Sequence, residues 1–265
     1  MFLVMGILLP FIQPAGTAQA NVDDLSFYTW NQYQGSPTRM LGVRESFCAL
    51  QSITGNLRGQ GERVWIRSVD ERWELNGQSG QEGLFARAIC VPFHRIRHLR
   101  YWDGTWEVKA YHEGCGILMA CSGSGLDARV IGTPTSFCYI TGMGGEFNGD
   151  GELVRVMQEG EQRDWELYTE VHADDHAWTF GEAGCITPKG HAQPTDGMHP
   201  YTWNQGELPT RLIPADLGMC VLNAVHGEFL GHGEEVSIYE SDGWWVLGGR
   251  SQQEGVGGAA TCLMW

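Results

Sequence analysis

Along most of this chain, apolar and polar residues alternate with a period of two. Val64 and Ile66 fall on one side of an extended segment, with Arg63, Trp65 and Arg67 on the other. Val154 with Val156 and Val236 with Ile238 repeat the arrangement, and Trp73 with Leu75, Trp165 with Leu167 and Trp245 with Leu247 form a second alternating set. A strand sends successive side chains to opposite faces, so each of these segments reads as a strand with one face in a core. Glycine-rich turns bound the segments, and none shows the 3.6-residue apolar spacing of an amphipathic helix. The expected fold class is all-β.

These strands recur as a set. An Arg is followed nine residues later by a Cys and fourteen residues after that by the Glu of a Gly-x-Gly-Glu turn: Arg39, Cys48 and Glu62; Arg129, Cys138 and Glu152; Arg211, Cys220 and Glu234. Each copy closes on a second Cys, namely Cys90, Cys185 and Cys262. Such a repeat predicts three small β modules in a pseudo-threefold arrangement, β-sandwich or β-prism-like, each closed by one disulfide and holding four or five strands. The modules are expected over 21–94, 120–188 and 201–265, joined by linkers over 95–119 and 189–200. Within the first linker, Asp103-Gly104 flanked by aromatic residues from Tyr101 to Trp106 predicts a tight hairpin.

The cysteines turn the pattern into a covalent framework. Equivalent spacing pairs Cys48 with Cys90, Cys138 with Cys185 and Cys220 with Cys262, and leaves Cys115 with Cys121 as a short local bridge. Residues 1–20 read as a signal peptide, with an apolar stretch from Phe2 to Ile12 and the small-residue site Ala18-Gln19-Ala20 before Asn21. The expected location is therefore secreted or extracellular, with the periplasm as the other oxidising compartment. No later stretch is apolar over the length a bilayer requires, so no membrane insertion is expected. A formal net charge of -15 argues against nucleic acid as a partner, because phosphates would repel the chain.

Recurring residues are those a scaffold needs. The Gly-x-Gly-Glu carboxylates read as turn residues that accept backbone hydrogen bonds or pair with the recurring Arg, and Trp73, Trp165 and Trp245 read as core. Function belongs to positions where the copies differ, such as the outward centre of one strand, which is Trp65, Arg155 or Ser237. Two copies also share Tyr-Thr-Trp-Asn-Gln, at 28–32 and 201–205, whereas the stretch matched to it in copy two has no Trp and contains Cys121. Trp30 and Trp203 are expected to stack on a sugar ring, with Asn31, Gln32, Asn204 and Gln205 bonding its hydroxyls and Trp65 as a further contact. The alternative is a packed strand, and burial of the two indoles would favour it.

Copy two carries an insertion whose His172, Asp174, Asp175 and His176 could hold a divalent metal; no other cofactor is expected. Gly-x-Ser-x-Gly, a phosphate-binding loop and His-Glu-x-x-His do not occur, so no catalytic residue is assigned. The sequence thus points to a multivalent, lectin-like module whose partner is a glycan or another cell-surface ligand. Alternatives are a metal-assisted hydrolase using His112, Glu113 or the 172–176 loop, and a protein-binding adhesin or toxin subunit.

Overall fold

The computed structural model describes residues 24–59, 61–94, 108–113, 125–149, 151–171, 178–188 and 193–265. Among them the chain is built from strands and turns, with one 3-10 turn at Gln32–Gln34. Copy one supplies β1 (Ser26–Asn31), β2 (Thr38–Gly42), β3 (Ser46–Thr54), β4 (Arg63–Val69), β5 (Arg72–Gln78) and β6 (Phe85–Pro92). With β7 (Val108–Glu113), which comes from the stretch read as a linker, copy two supplies β8 (Gly125–Gly132), β9 (Phe137–Gly145), β10 (Leu153–Glu159), β11 (Asp164–Val171) and β12 (Trp178–Ile186). After the two-residue β13 (Gln193–Pro194), copy three supplies β14 (Tyr201–Asn204), β15 (Thr210–Pro214), β16 (Gly218–His226), β17 (Glu235–Ser241), β18 (Trp244–Arg250) and β19 (Gly257–Met264). Each copy thus holds six strands rather than four or five. The alternation passed over short edge strands such as β2 and β15, whose ladders break at a bulge after Arg39 and Arg211.

No sheet belongs to one copy. The first runs β1-β6-β3-β17-β18-β15, the second β2-β5-β4-β9-β12-β7, and the third β13-β19-β16-β10-β11-β8, with β14 also on β19. Each joins three strands of one copy to three of another, and the junction has the same register every time. Ser52 faces Ser237 between β3 and β17, Gly142 faces Trp65 between β9 and β4, and Ala224 faces Arg155 between β16 and β10. The copies also meet at their centre, where backbone N–H groups of Leu57, Phe229 and Phe147 donate to the carbonyls of Phe229, Phe147 and Leu57 at 2.8, 2.9 and 2.7 Å. These bonds close a ring with one residue from each copy.

The core follows from the alternation. Val64, Ile66, Val154, Val156, Val236 and Ile238 are fully buried. The indole N–H of Trp73, Trp165 and Trp245 donates to the carbonyl that opens or precedes the disulfide strand: Ser46 at 2.8 Å, Ser136 at 2.8 Å and Gly218 at 2.9 Å. Cys48–Cys90, Cys138–Cys185 and Cys220–Cys262 form the expected bridges, each between residues directly opposite in a ladder. Cys115 and Cys121 lie outside the described residues, as do residues 1–23 and the aromatic hairpin insert. No helix among the described residues is long and apolar enough to cross a membrane.

Candidate functional site

The recurring carboxylates are buried, Glu152 bonding within its own turn and Glu62 to the turn that follows β5. Glu152 Oε2 accepts from the Gly149 N–H at 2.7 Å, and Glu62 Oε1 accepts from the Gly80 N–H at 3.0 Å. The recurring Arg does not pair with them where its side chain is described. Arg39 lies 3.4 Å from Glu74, and the Arg211 guanidinium sits over the Trp244 ring. Burial, rather than full hydrogen bonding, closes the recurring carboxylates off from a ligand: Glu62 Oε2 and Glu234 Oε2 are buried with no partner among the described residues.

Trp30 and Trp203 are also structural. Their exposures are 3% and 2%, which corrects the reading of these rings as open stacking faces. Each ring covers a glycine of a neighbouring strand, Gly77 in β5 for Trp30 and Gly249 in β18 for Trp203; a methyl on Gly249 would stand 2.6 Å from Trp203 Cζ3. The register explains why copy two differs. Val108 faces Ala183 as Tyr28 faces Ala88 and Tyr201 faces Ala260, so β7 is the counterpart of β1 and β14. Copy two therefore has Ala110 in the position of Trp30 and Trp203, not the later stretch with Cys121. Opposite, it has Thr169 in the position of Gly77 and Gly249. By position, a large residue over glycine is exchanged for alanine, with threonine where the glycine stood.

The neighbouring amides are partly spent on turns. Asn31 Oδ1 accepts from the Tyr33 N–H at 3.0 Å, Gln32 Oε1 from the Leu84 N–H at 2.8 Å, and Gln205 Nε2 donates to the Ser251 carbonyl at 3.4 Å. Asn204 Nδ2 donates to Glu207 at 3.3 Å, and its Oδ1 faces Gly257 beside the His226 ring. His172, Asp174, Asp175 and His176 lie outside the described residues. Among those described, no three His, Cys, Asp or Glu side chains cluster as a metal site would require.

The divergent outward positions meet at the sheet junctions. One row runs Thr29, Arg87, Ser52, Ser237; its equivalents are Thr202, Ala259, Ala224, Arg155 and Lys109, Glu182, Gly142, Trp65. The sequence reading found the last member of each row, Ser237, Arg155 and Trp65. It missed Arg87, Glu182 and Ala259, although each stands three residues before the closing Cys of its copy and differs in charge from its counterparts.

The three junctions differ in what fills them. Between copies one and two, Trp65 lies between Arg63 and Arg67, whose guanidinium carbons are 5.0 and 4.8 Å from its ring centre. Arg67 Nη2 and Nε also donate to the two oxygens of buried Glu182, at 2.5 and 3.4 Å. The chain's own side chains occupy this junction. The other two are open grooves, of about 410 Å³ between copies one and three and about 440 Å³ between copies two and three.

Small residues clear the groove between copies two and three. Gly257 stands where the other copies have Phe85 and Phe180, and Ala259 where they have Arg87 and Glu182. Thr202, Asn204, Glu170, Arg155, His226 and Asn223 bring polar groups to it, and Leu153 and Met157 bring apolar surface. Arg155 donates to Glu159 at 3.2 Å and lies over the Tyr168 ring. Asn223, 1% exposed, donates to the Val156 carbonyl at 3.0 Å, and its Oδ1 is buried with no partner among the described residues. Burial lowers the His226 pKa, and the bond from its Nδ1 to the Gly255 carbonyl opposes that shift. Comparison of the chain with family models, curated proteins and solved structures finds no match.

Proposed function

We propose that this is a secreted, multivalent carbohydrate-binding protein whose sites are the open grooves at the copy junctions. The supporting observation is the groove between copies two and three, whose lining combines hydroxyl, amide, carboxylate, guanidinium and imidazole groups from two copies with apolar surface from Leu153 and Met157. Its volume of about 440 Å³ falls within the range of ligand pockets, about 300–1,000 Å³. A sugar offers hydroxyls that both donate and accept, together with apolar C–H patches, and this lining supplies partners for each. Leu153 and Met157 take the role that the sequence reading gave to Trp30 and Trp203. Two open grooves on one chain support avidity on a surface that displays many copies of a ligand. Export fits the three disulfides, which need an oxidising compartment.

The test is titration of the full mature chain with neutral mono- and oligosaccharides, alongside Asn204→Ala and Glu170→Gln. Asn204→Ala removes an amide and Glu170→Gln turns one carboxylate acceptor into an NH2 donor, and each is expected to weaken binding roughly three- to tenfold. Absence of neutral glycan binding, or binding unchanged by both substitutions, defeats the proposal.

A further inference from the structure

Each sheet junction carries an arginine in or beside its row (Arg67, Arg155 and Arg87), and the first two have a carboxylate partner within the chain. Arg67 holds Glu182 through two nitrogens. Arg155 has Glu159 at 3.2 Å. Arg87, at the junction of copies one and three, has none: among the described residues no carboxylate lies within ion-pairing distance of it. Its Nη2 donates to the Ile238 carbonyl, and its Nε is buried with no partner. A guanidinium carries five N–H donors and stays charged in proteins, so most of this one's binding capacity is unused.

The surroundings suit an anion. Ser52 and Ser237 keep the row beside Arg87 low and leave the groove of about 410 Å³ open above it. Arg250 also lines the groove, and its pair with Glu235 at 3.1 Å occupies the one carboxylate in the lining. Two guanidinium groups against one carboxylate make a local positive site on a chain of net charge -15. Thr29, Ser237 and Tyr239 place hydroxyls around it. Desolvation lowers the Arg87 pKa and Glu235 only partly offsets this, so an added anion would relieve the burial cost.

We propose that the groove between copies one and three binds a carboxylate-bearing sugar, its carboxylate taking at Arg87 the place that Glu182 takes at Arg67. This rests on the carbohydrate reading and narrows the ligand class for one of the two grooves. The groove between copies two and three, where Arg155 is already paired and Glu170 adds negative charge, keeps the neutral sugars. The two grooves are equivalent in position and distinct in specificity.

The experiment titrates the full mature chain with D-glucuronate and with D-glucose, by calorimetry or saturation-transfer NMR. Glucuronate is expected to bind roughly tenfold or more tightly than glucose, with affinity falling as salt rises. Arg87→Gln should remove that preference, bringing glucuronate down to the affinity of glucose. Ser237→Trp, which installs the residue that copy one carries at this position, should block glucuronate by filling the groove. Unchanged circular dichroism and unfolding midpoint establish that each variant folds. Equal affinity for the two sugars, or a preference that survives both substitutions, overturns the assignment. Glucose binding weakened in Asn204→Ala with the glucuronate preference intact separates the two grooves, whereas glucuronate without preference beside sound glucose binding defeats this inference alone.

Discussion

At the scale of single residues, Trp203 over Gly249 in copy three and Ala110 with Thr169 at the matching register positions in copy two are a substitution experiment the chain has already made on itself. Gly249→Thr alone should destabilise by about 1–3 kcal/mol or more, because the new side chain meets the Glu235 carbonyl and also enters space held by the indole, and only the second conflict is relieved by removing Trp203. Trp203→Ala alone should cost about 3–5 kcal/mol through the cavity it leaves. The double variant rebuilds the copy-two arrangement, so its cost in urea unfolding should be smaller than the two single costs summed; strict additivity would refute the packing account. This pairing was partly legible, since a glycine inside a strand marks close approach and Gly77 and Gly249 occupy equivalent places. The identity of the covering residue was not, because the same Tyr-Thr-Trp pattern suits an exposed platform and a packed strand. His226 gives a second expectation. Its lowered pKa means that the unfolded chain takes up the proton first as pH falls, so its contribution to stability is lost as pH drops below about 6.5 toward the folded value. His226→Gln should flatten the unfolding midpoint between pH 7 and pH 5 relative to wild type, and an identical decline in both proteins would rule this out.

At the scale of elements, the disulfides show what spacing alone can establish. Cysteines at equivalent offsets proved to be opposite one another in the ladders of β3 with β6, β9 with β12 and β16 with β19. Bridging residues 42 apart, as Cys220 and Cys262 are, removes about 4 kcal/mol of unfolded-state entropy in the chain model. Cys220→Ala with Cys262→Ala should lower unfolding free energy by up to about that amount in urea, and a change below about 1 kcal/mol would mean the ladders hold the copy without the bridge. What the pattern hid is the burial of β3, β9 and β16 on both faces, which the alternation elsewhere does not suggest. Gln51, Thr141 and Asn223 are buried at equivalent positions in these strands, and each ladder shifts register next to them. Gln51 Nε2 donates to the Cys220 carbonyl at 3.1 Å and Asn223 Nδ2 to the Val156 carbonyl at 3.0 Å. Polar residues in a strand read as surface until the neighbouring copy that receives their hydrogen bonds is known.

At the scale of the molecule, that neighbouring copy is what no single-strand pattern can reveal. Periodicity identifies a strand and the face it buries, but Ser52 opposite Ser237 and Trp65 opposite Gly142 join strands that lie far apart in the chain. The same exchange made the candidate site hard to read, because both described grooves are lined by two copies while the sequence aligns the copies one beneath another. It also couples their stability. If β3 lost its bridge to β6, the sheet it shares with β17 and β18 would loosen directly. The loss would then pass to the other sheets through the ring of Leu57, Phe147 and Phe229. Replacing Cys48 and Cys90 by Ala should therefore reduce amide hydrogen-exchange protection in β17 and β18 of copy three as much as in β4 and β5 of copy one, with one unfolding transition throughout. Independent modules would instead show two transitions and full protection at Val236 and Val246. That result would mean the cross-copy ladders are too weak to bind the three copies into one folding unit.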